Sequence, residues 1–86
     1  MLRISVISPE RVLFEGEAAS IVAPAFDGEV GILTNHAPMM TLLGRGSLRI
    51  AGGSGAASRF EIEGGFLQVV DNTVRVVTER AEIASA

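Results

Sequence analysis

Cysteine, lysine, tryptophan and tyrosine are all missing from this chain, and histidine occurs once, at His36. Without cysteine there is no disulfide, thiolate nucleophile, zinc–thiolate site or iron–sulfur cluster. Without lysine there is no Schiff-base chemistry, no P-loop lysine and no lipoyl or biotinyl attachment point. Long apolar runs are missing too: no stretch approaches the ~18 residues that a membrane span requires. The opening Met1–Ser5 has no long apolar core, so no secretory signal is expected. Charge of one sign is weak. Seven arginines are spread along the chain against ten acids, for a net charge of −3. That balance gives no electrostatic footprint for nucleic acid or for an anionic membrane surface. Equipment this sparse leads us to expect no cofactor, no metal, no small-molecule substrate and no enzyme activity.

What is present is a short chain with a regular rhythm. Its 86 residues, 48% of them apolar, fit one globular domain. Leu2, Ile4 and Val6 alternate with Arg3 and Ser5, Phe60 and Ile62 with Arg59, Glu61 and Glu63, and Val74 and Val76 flank Arg75. Period-two alternation rich in β-branched residues marks half-buried strands. Turn signals punctuate these runs at Ser8-Pro9-Glu10, Glu15-Gly16, Ala25 to Gly28, Thr34-Asn35-His36, Gly44-Arg45-Gly46, Gly52 to Gly55, Gly64-Gly65 and Asp71-Asn72. Strands are expected at 2–7, 11–15, 17–23, 28–33, 39–43, 46–51, 58–63, 65–70 and 73–78. Short strands at this spacing indicate an all-β sandwich or barrel. The Gly/Ser/Ala-rich stretch at 52–57 reads as a hairpin tip. The domain then covers 1–78, and 79–86 is a short tail, helix-like in composition and frayed.

Few residues offer chemistry. His36 is the one side chain that titrates near neutral pH. A Ser–His–acid triad can be drawn with Ser5, Ser8, Ser20 or Ser47, but no nucleophile-elbow motif supports it. Asp27-Gly28-Glu29-Val30-Gly31 resembles a phosphate loop only superficially, because its acids stand where phosphate would sit and the spacing is wrong. Glu61 and Glu63 share one strand face with no aromatic platform for a sugar, so they read as a solvated face. Met39, Met40, Leu42 and Leu43 make a strand that is apolar on both sides. Either it is buried centrally or its outer face meets a partner. Methionine suits adaptable contacts, and a two-layer fold has water outside each sheet, which favours the partner.

The segment from Ala23 to Thr41 carries a more specific pattern. Gly28-Glu29-Val30-Gly31-Ile32-Leu33, followed by His36-Ala37-Pro38-Met39-Met40-Thr41, resembles the signature of the epsilon subunit of F-type ATP synthases. Ser8 to Ala18 resembles that family's opening hairpin, Gly46 to Ile50 its Pro-Gly-hydrophobic-Arg-Ile step, Glu63 to Val69 its Gly-Gly-Phe-Leu-Glu-Val strand pair, and Val74 to Val77 its last strand. The match runs in one register from Ile4 to about Ala81. Thr34-Asn35 stands where the family usually has Pro-Gly. Asn tolerates positive φ better than most residues, so the turn is expected to survive.

The resemblance implies a flattened β-sandwich of nine to ten short strands. It implies a non-catalytic rotor subunit on the central stalk, joining the gamma subunit to the ring of c subunits and coupling ion-driven rotation to ATP synthesis. It assigns the c-ring contact to Asp27, Gly28, Glu29 and Val30, and the gamma contact to His36, Ala37, Met39, Met40 and Thr41. The place implied is peripheral, on the cytoplasmic face of a bacterial inner membrane, or the equivalent in a plastid or other organelle. The family continues into a C-terminal helical pair; this sequence stops at Ala86, so coupling without inhibition by those helices is expected. The rival readings are a free-standing β-sandwich interaction module and, more remotely, a small hydrolase using His36.

Overall fold

The computed structural model describes residues 1–52 and 58–83. The strands are β1 (Leu2–Ile7), β2 (Val12–Ala18), β3 (Ser20–Ala25), β4 (Gly28–Leu33), β5 (Met39–Leu42), β6 (Arg45–Ala51), β7 (Ser58–Glu63), β8 (Phe66–Val70), β9 (Thr73–Val77) and β10 (Arg80–Ile83). They form two five-stranded sheets packed as a sandwich. Sheet I has the order β2-β1-β9-β8-β5, and sheet II the order β10-β7-β6-β3-β4. The expected all-β sandwich is what is found. All pairings are antiparallel except β1 with β9, where the first strand lies parallel to the ninth.

The alternation in the sequence becomes the alternation of faces. Leu2, Ile4 and Val6 of β1, Leu67 and Val69 of β8, and Val74 and Val76 of β9 are buried in sheet I. They meet Ile21, Ile32, Leu48, Ile50, Phe60 and Ile62 of sheet II in a single core. Each such burial contributes roughly 1.5–3 kcal/mol. The Phe14 ring from sheet I stands edge-on to Phe60 from sheet II, with centroids 6.0 Å apart and planes at 70°, an arrangement aromatic pairs favour.

Three sequence expectations are corrected. Glu15-Gly16 is not a turn: Gly16 pairs with Ile4 inside β2, and a Cβ there would only touch the Phe14 ring at 3.4 Å. The break falls instead at Ala19, between two small neighbours, where the chain steps from sheet I to sheet II. The Ala19 N–H donates to Ala51 O across that step. Arg45 and Gly46 belong to β6, so the bend after β5 is confined to Leu43-Gly44. The third correction concerns the tail, where Arg80–Ile83 is a strand rather than a helix, paired with β7 from Arg80↔Glu63 to Ile83↔Phe60. Four good helix formers cannot nucleate a helix alone, whereas β7 offers a waiting edge of unpaired backbone groups. Of the glycine-rich stretch, 53–57 lies outside the described residues.

Two crossings between the sheets have visible causes. At Gly65, φ is +102°, and a Cβ there would lie 1.9 Å from Val77 O. Only glycine fits where β7 hands over to β8. Thr78, the one buried polar residue among those described, joins β9 to β10. Its hydroxyl lies 2.9 Å from Arg80 O and 3.1 Å from Gly64 O, and it accepts the Arg80 N–H at 3.3 Å. The hydroxyl therefore has partners in sheet II, which offsets its burial.

Candidate functional site

The outward side chains of the two sheets differ in kind. On sheet II they are mostly charged, and two sets are paired, while Leu33 at the end of β4 is an apolar exception at 64% exposed. Arg49 places Nη2 3.1 and 3.3 Å from the two carboxylate oxygens of Glu29. Arg59 reaches both Ser47 Oγ and Glu61 Oε1 at 3.1 Å, while Ser47 donates to the same Glu61 oxygen at 2.7 Å. The hydrogen bond from Ser47, helped by the bond and charge of Arg59 against a smaller opposing effect of desolvation, holds the Glu61 carboxyl below the usual carboxylate range. Strand register adds a third set, with Glu63 flanked by Arg45 on β6 and Arg80 on β10. Arg49 and Arg59 stand directly opposite one another. That pairing is unfavourable alone, and each arginine has its own carboxylate.

On sheet I the register assembles an apolar row from one edge to the other. Val12 pairs with Ile7, Ile7 with Val77, Val77 with Phe66, and Phe66 with Leu42. These are the outward residues of their strands. The middle three are half-buried, and the ends are open: Val12 is 54% exposed and Leu42 64%. The neighbouring row, Glu15–Ser5–Arg75–Gln68–Met40, is mostly polar but ends in Met40, 63% exposed. Phe26, 66% exposed, sits at the turn between β3 and β4, and its N–H donates to Leu42 O at 3.0 Å. The apolar row therefore continues onto a hairpin tip of the other sheet. An isolated exposed Leu needs no explanation, but a contiguous apolar band marks a contact surface.

The residues singled out from sequence fall around this band. Asp27 lies at the β3–β4 tip, and Gly28 begins β4 opposite Ala25. Glu29 is not at the tip; it stands on the outer face of sheet II, paired with Arg49. Val30 points inward and packs against the core. His36 is half-covered, with Nδ1 2.7 Å from Ala37 O, so that nitrogen carries the proton and donates. Ala37 is exposed, while Met39 and Thr41 are half-buried, Met39 against the core. β5 is an edge strand rather than a central one. Of its two methionines, Met40 alone faces outward. Among the described residues no serine hydroxyl bonds to His36, and no three His, Asp or Glu are grouped to hold a metal. No helix of the described residues is long and apolar enough to cross a membrane.

Sequence reading named Met39 and Met40 together, of which Met40 alone faces outward, and did not single out Val12, Ile7, Val77, Phe66 or Phe26. Each sits in its own strand or turn as an ordinary alternating residue. Only the paired register brings them into one line.

Two five-stranded sheets around one core, one with a largely charged outer face and the other with an apolar band, define a β-sandwich domain. The chain belongs to the family of the ATP synthase delta/epsilon chain β-sandwich domain, whose model matches residues 1–84. It is 44% identical over 82 residues to the ATP synthase epsilon chain of Syntrophomonas wolfei and 45% identical to that of Leptospira borgpetersenii. Both matches cover 95% of this chain but 60% and 64% of those relatives. The chain thus spans somewhat under two thirds of the length of the curated relatives it matches. Its fold superposes with a TM-score of 0.85 and 25% identity on a chain in the mitochondrial ATP synthase of Euglena gracilis, described as OSCP/F1/c-ring, covering 95% of this chain and 52% of that one. A chain from the central stalk and c-ring of the Tetrahymena thermophila enzyme shares the fold at a TM-score of 0.76 and 19% identity.

Proposed function

We propose that this chain is the sandwich of a non-catalytic rotor subunit on the central stalk of an F-type ATP synthase. It joins the gamma subunit to the c-ring and transmits rotation between them. The gamma contact is the outer face of sheet I around β5: Met40 and Leu42 with the apolar row behind them, flanked by His36, Ala37, Met39 and Thr41. The c-ring contact is the β3–β4 end of sheet II: Asp27 and Gly28 at the turn, Glu29 on the adjoining outer face, and Val30 behind them, packed against the core. The subunit acts peripherally, on the cytoplasmic face of a bacterial inner membrane or its organellar equivalent.

The edge-to-edge apolar row carries this reading. Water on that row is unfavourable by about 25 cal/mol for each Å² left exposed, and a protein surface of matching shape removes it. An apolar row that includes Phe66, ends beside Met40 and is bordered by Glu15 and Arg75 suits an interface with an apolar core and a polar rim.

The test is reconstitution with gamma. The native chain forms a one-to-one complex on size exclusion. Leu42→Glu, on an exposed edge position, folds normally but loses the complex. A native chain that stays free of gamma, or a Leu42→Glu chain that binds as tightly as native, overturns the assignment.

A further inference from the structure

The connection from β4 to β5 carries His36 and Ala37 from sheet II to sheet I, and it is held at its start by a side-chain pair that nothing in the alternating strands requires. The Asn35 N–H donates to Oδ1 of Asn72, and Nδ2 of Asn72 donates back to Asn35 Oδ1 at 3.1 Å. The backbone donor fixes which end of the Asn72 amide is oxygen. The returning Nδ2 then fixes the Asn35 amide, so the two orientations are settled together. Both residues have positive φ, 68° for Asn35 and 59° for Asn72. Asn72 is the second residue of the two-residue turn between β8 and β9, where Asp71 also has positive φ, as a type I′ hairpin demands. The backbone of Asn72 is in turn tied to β1, because Asn72 O accepts the Arg3 N–H at 2.8 Å. The His36 N–H closes the turn onto Leu33 O at 3.1 Å.

Glycine would satisfy both φ values at lower steric cost. Asparagine at both places adds something glycine cannot, a reciprocal amide clamp between two turns 37 residues apart. We infer that Asn35 and Asn72 are a matched positioning pair that sets the His36-Ala37 segment, and the start of β5, against sheet I for docking. The inference rests on the gamma reading above for its functional consequence, while the clamp itself can be measured without any partner.

The test uses three variants whose backbones remain at ease at positive φ. Asn72→Gly removes both side-chain bonds. Asn35→Gly removes the returning one. Asn35→Asp keeps both, since a carboxylate still accepts from Nδ2 and the backbone N–H is untouched. With a neutral hydrogen bond worth a factor of roughly five to ten, the Asn35 and His36 amides of Asn72→Gly should exchange with solvent about tenfold faster than native. Gamma should dissociate from it several-fold faster, with little change in melting temperature. Asn35→Gly falls between, and Asn35→Asp restores native exchange and native gamma dissociation. If exchange rises in Asn72→Gly but gamma dissociates at the native rate, the positioning role is overturned and the gamma reading stands. If exchange does not rise, the clamp itself is refuted. If the native chain fails to bind gamma, the docking role falls with that reading, and exchange alone judges the clamp.

Discussion

The outer faces of the two sheets are built on the same strand geometry and meet water in opposite ways. Sheet II pairs much of its charge internally: Glu29 with Arg49, and Glu61 with Arg59 and Ser47, while Glu63 stands in register between Arg45 and Arg80. Sheet I leaves Val12, Ile7, Val77, Phe66 and Leu42 in line with no such cover among the described residues. A face whose charges already have partners gains little from docking, because pairing them elsewhere first breaks what exists. A face with an apolar band gains on any contact that removes water. In the proposed reading the faces divide the work: sheet I docks on gamma, and sheet II keeps its paired charges toward water except near the β3–β4 tip.

The largest effect removes the comparison altogether. Both faces depend on the crossing at Gly65, where a Cβ collides with the Val77 carbonyl. Gly65→Ala combines positive-φ strain with a backbone clash and should cost at least about 3 kcal/mol. A urea unfolding midpoint near the native value would refute that account of the crossing.

Next comes a charge placed on each face in turn. Leu42→Glu on sheet I should weaken gamma binding roughly thirtyfold or more, the scale of a hot-spot residue. Arg59→Glu on sheet II should leave gamma affinity within about twofold, since exposed rim charges contribute little. Titration calorimetry on both variants decides the matter. Equal losses would erase the distinction between the faces.

A smaller effect concerns Glu29, which serves sheet II and, in the proposed reading, the c-ring. Glu29→Arg destroys the pair with Arg49 and should change stability by less than about 1 kcal/mol, because both side chains are half exposed. The same change should lower ion-driven ATP synthesis in reconstituted vesicles. Synthesis at the native rate would remove Glu29 from the ring contact.

The smallest is a titration. The Glu61 carboxyl is held below its ordinary pKa, chiefly by Ser47. A lowered folded-state pKa means that its contribution to stability is fully present above the ordinary carboxylate value. The contribution is lost as pH falls through the lowered one. Ser47→Ala should move the Glu61 midpoint upward in a carboxyl-resolved NMR titration, while Ser5→Ala, on the other sheet, leaves it in place. An unmoved midpoint in Ser47→Ala would show that Arg59 alone sets it.

Much of the fold was legible because alternation is a local property. Leu2, Ile4 and Val6, or Val74 and Val76, declare both their strand and its buried side within five residues. Asp71-Asn72 announced its hairpin for an equally local reason, the tolerance of both residues for positive φ. The failures came where the local signal was ambiguous or absent. Gly16 has the residue type of a turn but pairs with Ile4 inside β2. Arg80 to Ile83 looked helical but is captured by the edge of β7. Of the candidate contact residues, the doubly apolar strand indicated an outward methionine without saying which, and the register makes it Met40. Val30 and Met39 turned inward, and Glu29 was found already paired.

The sequence alone marks these 86 residues as a β-sandwich poor in reactive groups, and its Gly28 to Thr41 pattern points to the family. Those are facts of composition and short spacing, carried by neighbours along the chain. The tertiary structure alone decided the parallel pairing of β1 with β9, the apolar row across sheet I and the clamp between Asn35 and Asn72. Each joins residues separated by dozens of positions. Their proximity is set by strand register, in which a slip of one residue would turn every side chain of a strand to the opposite face.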